Sequence, residues 1–183
     1  MHFVSSNIYI FIDDFDENKI LNLSSNYNVI FRNYHKKLDF KKIIKIKKIC
    51  KKKRIKFYLA NNIKLAIQAN LDGVYIPSFN KSLNLNNFRN NRKNFTILGS
   101  AHNITELRFK ERQGVNLIFI SPLFLTKNYQ KNLGVVKFNL MSKISKKSTV
   151  ALGGIRKNNL NKLKMLNANG FSGITIFNQI NEI

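Results

Sequence analysis

The sequence is poor in the residues that cross-link or break a chain. Its 183 residues include one cysteine, two prolines and eight glycines. The single cysteine, Cys50, excludes an intrachain disulfide and a cysteine-rich metal site. Because Cys50 follows an Ile/Lys pattern typical of a helix, we interpret it as a structural residue. With so little proline and glycine no linker is expected, and the length suits one domain over residues 1–183.

Long apolar runs are also lacking. No segment approaches the roughly 20 consecutive apolar residues that a membrane-spanning helix needs. The apolar segment 8–12 is short and is followed by Asp13 and Asp14, which is not typical of a signal peptide. We therefore expect a cytoplasmic protein with no membrane partner.

Acidic residues are scarce, with 9 Asp and Glu against 32 Lys and Arg, so the formal charge is +23. A charge this high raises the question of nucleic-acid binding. However, the lysines are spread along the chain and accompany abundant Asn and Ile, the residues that A/T-rich codons favour. We therefore favour a solvated basic surface over a nucleic-acid partner, and its positive field would attract phosphorylated small molecules. The sequence leaves open whether the chain forms a homo-oligomer.

Strand-like and helix-like segments alternate along the chain. Short apolar runs rich in β-branched and aromatic residues predict eight strands, at residues 8–13, 28–32, 55–60, 73–76, 95–99, 117–120, 149–152 and 173–176. Amphipathic or polar segments predict the helices, at residues 17–23, 40–53, 63–70, 84–90, 104–113, 137–145 and 158–169, with a short one after the last strand. Asp39 and Asn103 are predicted N-caps, and Glu106 completes a capping box. The FKERQ segment (109–113) is predicted to be a solvated helix face.

This alternation predicts the fold. A helix between each pair of consecutive strands implies parallel pairing. Eight β/α units predict an α/β protein with a small single-domain (β/α)8 TIM barrel, because closure removes the sheet edges. An open doubly wound sheet is the alternative.

In such a barrel the functional residues follow the strands. After the seventh predicted strand, Gly153 and Gly154 expose backbone N–H groups that can approach a phosphate. The end of the eighth strand leads through Phe177 and Asn178 into a helix N-terminus. Barrels frequently build a phosphate site from these two loops, so we predict phosphate binding here.

Several segments, taken in order, carry a resemblance to a known family. ILGSAHN (97–103), SPLFLT (121–126), ALGGIRKNN (151–159) and GFSGITIF (170–177) are similar to the C-terminal half of thiamine phosphate synthases and TenI-type thiazole tautomerases. Upstream, IYIFID, IFRNY, LANN and DGVYIPS are similar to the family's earlier strand ends. The chain therefore resembles the thiamine phosphate synthase/TenI family over nearly its whole length.

The resemblance implies an activity and a set of site residues. The synthase joins a pyrimidine pyrophosphate to a thiazole phosphate and releases pyrophosphate with the aid of Mg²⁺. Phosphorylated pyrimidine and thiazole molecules are therefore the implied partners. The positions that match the family's site are Arg32, Asn61, Ser100 and His102 among the catalytic ones, and Thr126 and Gly154 at the phosphate.

This chain also departs from the family's pattern. Asn62 and Asn80 stand where the synthase has metal-binding aspartates, and a neutral carbonyl oxygen is a weaker ligand for Mg²⁺. The resemblance thus implies a divergent synthase with altered metal positions. The alternatives are a TenI-like tautomerase and an inactive barrel that binds a phosphorylated ligand. For a tautomerase, His102 is the acid/base candidate and His35 a second one, while the tautomerase's own histidine falls close to Ser121 of this chain.

Overall fold

The computed structural model describes residues 7–34, 38–85, 94–126 and 131–173. Within these ranges eight parallel strands close into a barrel in chain order. The strands are Ile8–Ile12 (β1), Tyr27–Phe31 (β2), Lys56–Ala60 (β3), Gly73–Ile76 (β4), Thr96–Ala101 (β5), Leu117–Ile120 (β6), Ser148–Leu152 (β7) and Phe171–Ser172 (β8). The predicted TIM barrel is confirmed, and the open doubly wound sheet is wrong.

The described ranges hold five α-helices and one 3₁₀ helix. They are Glu17–Leu21 (α1), Phe40–Lys52 (α2), Ile63–Gln68 (α3), Ile104–Arg112 (α4), Gly134–Ile144 (α5) and the 3₁₀ helix Lys157–Met165. None of the helices in this part of the chain is long and apolar enough to cross a membrane.

Three of the predicted elements differ from the structure. The helix predicted at 137–145 begins three residues earlier, at Gly134. The segment predicted as an α-helix at 158–169 is a 3₁₀ helix over Lys157–Met165, and Leu160, Leu163 and Leu166 pack against the core. The last strand is Phe171–Ser172, which is earlier than the predicted 173–176. Residues 174–176, most of the predicted helix 84–90, and the terminal helix lie outside the described residues.

Capping residues fix where two helices begin. The Asp39 carboxylate accepts a hydrogen bond from the N–H of Lys41, and the Asn103 side chain accepts one from the N–H of Glu106, so both predicted caps are confirmed. The capping box is wrong in one detail, because the Glu106 carboxylate accepts from the N–H of His102 at 2.8 Å instead of from Asn103. Glu106 therefore anchors the backbone of His102.

The core forms two concentric layers. Inside the barrel, Phe119 packs edge-on against Tyr9 and Tyr75, with ring centroids 5.0 Å and 5.5 Å away. Outside it, the helices bury apolar stripes against the strands, as α2 does with Ile43, Ile46 and Cys50. Cys50 is 1% exposed, and burial raises the pKa of its thiol to about 12, which agrees with a structural role. These aromatic side chains fill the barrel interior, and the active sites of such barrels lie at the C-terminal ends of the strands.

Candidate functional site

At the C-terminal ends of the strands, which we call the mouth, polar residues pair across neighbouring strands. Arg32 after β2 makes a bidentate ion pair with Asp13 after β1, with Nε–Oδ1 and Nη2–Oδ2 distances of 2.9 Å and 3.3 Å. The guanidinium carbon lies 5.1 Å from the centre of the Phe11 ring. Burial alone would lower the pKa of Arg32, but the hydrogen bond and charge of Asp13 outweigh it and raise the pKa. Arg32 is thus a fixed, partly exposed cation.

A second pair joins the ends of β3 and β4. The Asn80 amide donates to Asn61 Oδ1 at 2.7 Å, and Asn80 Oδ1 accepts from the N–H of Ser82 at 2.9 Å. Asn61 has a positive φ of 58°, a conformation that asparagine tolerates better than most residues. Next to it, Asn62 caps α3, its Oδ1 accepting from the N–H of Leu65 at 3.0 Å. All three asparagine side chains therefore serve local hydrogen bonds.

Two buried side chains, Lys110 on α4 and Gln113 directly after it, hydrogen-bond to the backbone of the loop after β4. Lys110 Nζ donates to Pro77 O at 2.7 Å, Asn80 O at 3.0 Å and Gln113 Oε1 at 2.8 Å. The Gln113 amide in turn donates to Asn80 O and to Ser82 O. Lys110 and Gln113 are both 0% exposed, so the prediction of a solvated face at 109–113 is wrong for these two residues.

The buried lysine keeps its charge near neutral pH. Burial, followed by repulsion from Lys81, lowers the pKa of Lys110 to about 8, while Glu106 acts in the opposite direction. Sequence reasoning missed this group because it treated lysine as a surface residue. The available signal was spacing, since Leu107, Lys110 and Gln113 recur every third residue on the buried side of α4.

A third pair joins the ends of β5 and β6. His102 Nδ1 lies 3.0 Å from the carbonyl oxygen of Ser121 and 3.1 Å from its hydroxyl. A carbonyl oxygen only accepts hydrogen bonds, so the contact with Ser121 O requires a proton on Nδ1, and in that tautomer Nε2 is the basic nitrogen. Ser100 is 3% exposed and lies on β5, two residues before His102. The structure thus brings the imidazole together with Ser121, the position near which the tautomerases of the family have their own histidine.

The loops after β6 and β7 lie against each other, and we call residues 122–126 with 153–154 the β6–β7 loop pair. The N–H of Phe124 donates to Gly153 O at 3.1 Å. Gly154 has a φ of 69°, and a Cβ there would lie 2.5 Å from Phe124 O, so only glycine allows this approach. The hydroxyl oxygen of Thr126 is buried without a hydrogen-bond partner among the described residues.

Comparison with known proteins identifies the family. A family model described as thiamine monophosphate synthase matches residues 26–177. The chain belongs to the thiamine monophosphate synthase family. A thiamine-phosphate synthase of Prochlorococcus marinus subsp. pastoris is 31% identical over 137 residues, which cover 73% of this chain and 38% of that protein. A thiamine-phosphate synthase of Pelagibacter ubique is 33% identical over 130 residues, 68% of this chain and 61% of that protein.

A solved structure shares the fold of this family member. Thiamine phosphate pyrophosphorylase from Pyrococcus furiosus superimposes with a TM-score of 0.75 at 17% identity, over 93% of this chain and 86% of that one. The chain spans only 38% of the Prochlorococcus relative and 61% of the Pelagibacter relative. The likeness to the solved structure therefore supports the fold, and family membership rests on the sequence matches.

The predicted site residues of this family member lie around the mouth wherever the structure describes them. Arg32, Asn61, Asn62 and Asn80 lie between β1 and β4, and a second group lies between β5 and β7. That second group consists of Ser100, His102, Thr126, Gly153 and Gly154. Phe177, Asn178 and His35 lie outside the described residues. The catalytic and phosphate-binding roles of these residues stay predictions.

The described residues do not fit a protein-held Mg²⁺ at the family's metal positions. The Oδ1 atoms of Asn62 and Asn80 already accept backbone hydrogen bonds and carry no charge. Of the nearby carboxylates, Asp13 pairs with Arg32 and Asp14 with Lys42. In the described ranges no group of three or more His, Cys, Asp or Glu side chains is arranged to hold a metal ion. A hard cation prefers several charged oxygens, which these positions lack.

Proposed function

We propose that this protein is a divergent thiamine phosphate synthase that joins a pyrimidine pyrophosphate to a thiazole phosphate in thiamine biosynthesis. In that reaction the bond from the pyrimidine methylene carbon to the pyrophosphate oxygen breaks, and the thiazole nitrogen forms a new bond to this carbon. Pyrophosphate leaves with the electron pair. We also propose that residues 1–183 act as one such domain in the cytoplasm, where phosphorylated intermediates of this kind are retained.

The observation that carries the proposal is the buried hydroxyl of Thr126 in the β6–β7 loop pair, which has no hydrogen-bond partner within the described ranges. A buried hydroxyl without a partner costs about 1–3 kcal/mol, so a ligand that accepts its hydrogen bond would recover that cost. The carbonyl oxygens of Gly153 and Gly154 accept from Phe124 N–H and the Asn159 amide. The two glycine carbonyl oxygens are thus already occupied, and the Thr126 hydroxyl and the glycine N–H groups are the donors that suit a phosphate.

The rest of the mouth supports the same chemistry. Arg32 supplies a fixed cation on the opposite side of the barrel opening from the β6–β7 loop pair. A cation at that place stabilises the negative charge that develops on a departing pyrophosphate. Two phosphate-binding regions separated by the width of the mouth suit a reaction between two phosphorylated substrates.

The test combines binding with turnover. Thiazole phosphate binding would be measured by calorimetry for the wild type, for Thr126→Val, and for the matched control Thr105→Val on the exposed surface of α4. Thr126→Val should weaken binding about tenfold or more, as expected for one charge-assisted hydrogen bond, while Thr105→Val should not. Purified protein would then receive pyrimidine pyrophosphate and thiazole phosphate, with and without Mg²⁺, and thiamine phosphate would be quantified. No saturable binding of thiazole phosphate by the wild type would rule out the proposal.

A TenI-like tautomerase is the second candidate, and the His102–Ser121 pair favours it. With Nδ1–H directed at the Ser121 carbonyl, Nε2 is the atom that would take up a proton from a thiazole carboxylate phosphate. That proton would then be returned to another atom of the same ring system, so no metal or second substrate is needed. The tautomerase candidate would be supported if the wild type aromatises thiazole carboxylate phosphate and His102→Gln does not. It would be excluded if the wild type forms thiamine phosphate but does not aromatise thiazole carboxylate phosphate.

A further inference from the structure

The side of the mouth between β2 and β4 carries positively charged side chains, whereas a site that binds a divalent metal needs negatively charged carboxylates. The loop after β4 carries Asn80 at its tip, and its backbone is bonded to the ammonium group of Lys110. No described carboxylate forms an ion pair with Lys110. Its direct hydrogen-bond partners are neutral carbonyl oxygens, and the Glu106 carboxylate acts on it only through charge, without a hydrogen bond. The ammonium group therefore adds to the positive potential near Asn80.

The fold makes specific room for this lysine. A Cβ on Gly99 of β5 would lie 3.1 Å from Lys110 Cδ and 2.9 Å from Val115 Cγ1, so the aliphatic part of Lys110 passes over a glycine to reach the loop. Burying a charged group without a counter-ion is costly. A fold that retains such a group beside a ligand-binding mouth points to a functional reason for its position.

Two further cations lie on the same side of the mouth. Arg32 follows β2, and Lys81 follows Asn80 in the loop after β4, with its Nζ 5.1 Å from the centre of the Phe109 ring. Asp13 neutralises part of the charge of Arg32, while Lys81 makes no ion pair with a described carboxylate. This arrangement repels a divalent cation and attracts a diphosphate directly.

We propose that the mouth between β2 and β4 binds a diphosphate group without a divalent metal, and that Lys110 is the positioning residue for it. Lys110 donates all three of its hydrogen bonds to the protein, so it acts through the loop after β4 and through its charge, without touching the ligand. That this diphosphate belongs to a pyrimidine substrate rests on the proposed function. That a diphosphate binds here is argued from the charges alone and does not depend on the proposed function.

Inorganic pyrophosphate is the probe, titrated by calorimetry in EDTA and in excess Mg²⁺. The wild type should bind it in EDTA, with a dissociation constant that Mg²⁺ changes less than about threefold. Lys110→Met should weaken pyrophosphate binding at least tenfold and reduce the salt dependence of that binding. Lys137→Met removes the same charge from the exposed surface of α5 and should change the affinity less than twofold.

Comparing two ligands in Lys110→Met separates the loss of a charge from damage to the structure. Thiazole phosphate binding at the β6–β7 loop pair should be the same in Lys110→Met as in the wild type, since β4 and β7 are three strands apart in the barrel. Wild-type binding of pyrophosphate only with Mg²⁺, or equal binding by Lys110→Met, would overturn the inference. If Lys110→Met does not fold, the wild-type comparison in EDTA decides alone. Pyrophosphate binding without thiazole phosphate binding would instead sink the proposed function and leave this inference standing.

Discussion

Gly154→Ala tests whether the β6–β7 loop pair forms the phosphate site. Gly154 has a φ of 69°, a conformation that costs an L-residue roughly 1–2 kcal/mol. The added methyl group would also lie 2.5 Å from Phe124 O and 2.6 Å from Leu125 O. Both contacts are backbone atoms that cannot rotate away. The loop after β6 must therefore shift by about 0.9 Å, the shortfall from an ordinary contact of 3.4 Å.

Gly134→Ala at the start of α5 is a matched control. Gly134 has a similar φ of 65°, and its Cβ would meet nothing within 4 Å. Gly134→Ala should therefore lower the free energy of unfolding by about 1–2 kcal/mol, the conformational cost alone. Gly154→Ala adds an overpacking cost of about 1–3 kcal/mol. It should also displace Thr126 and weaken thiazole phosphate binding at least tenfold, whereas Gly134→Ala should leave binding unchanged.

The measurements are urea unfolding followed by circular dichroism and calorimetric titration with thiazole phosphate. Two results would refute the reasoning. Equal free energies of unfolding for the two alanine variants would show that the clash with the loop after β6 is absent. Wild-type affinity in Gly154→Ala would show that the β6–β7 loop pair does not hold the phosphate.

Three further predictions concern the scaffold. Phe119→Ala should lower the free energy of unfolding by about 4 kcal/mol in urea titrations, because Phe119 is 0% exposed at the centre of the aromatic filling; a loss below 1 kcal/mol would contradict this packing. Burial would raise the pKa of Glu111, but hydrogen bonds from the N–H of Lys146 and from Arg108 outweigh it and hold the pKa below the ordinary 4.5. The wild type should therefore be more stable than Glu111→Gln above pH 4.5, and this difference should disappear as the pH falls through the lower pKa of the folded state. Thermal melts across the acid range would measure the difference, and a difference that does not change with pH would contradict the prediction. Cys50 should not react with a thiol reagent in the native state, and one equivalent of reagent should be incorporated in urea. Fast labelling of the native protein would show that the buried face of α2 separates from the strands.

The barrel could be predicted from the sequence because its signals are local. Alternating strand and helix patterns are carried by consecutive residues, and the bounds of β4 and β6 at 73–76 and 117–120 agree with the prediction. The caps Asp39 and Asn103 likewise depend on residues two or three positions away. The 3₁₀ geometry of Lys157–Met165 could not be predicted in the same way, because buried residues at a spacing of three also occur on the α-helix α4.

The site could be predicted less well because its interactions join distant segments. The burial of Lys110 depends on acceptors 33 and 30 residues earlier in the chain, Pro77 and Asn80, and on the space above Gly99. Family resemblance located Asn62 and Asn80 at the mouth, but the hydrogen bonds that occupy their side chains depend on the exact path of the following backbone. Pairing between β5 and β6, which brings His102 to Ser121, is also a property of the closed barrel.

The aromatic filling of the barrel has an optical consequence. The chain has six tyrosines and no tryptophan, so its near-ultraviolet signal comes from tyrosine with a minor part from phenylalanine. Tyr9, Tyr58 and Tyr75 lie inside the barrel, and burial raises the pKa of Tyr9 to about 12. Tyr34 lies at the mouth, with its ring centroid 5.5 Å from that of Phe79. Tyrosine absorption and circular dichroism therefore offer label-free reporters of both the barrel interior and the mouth, without interference from an indole.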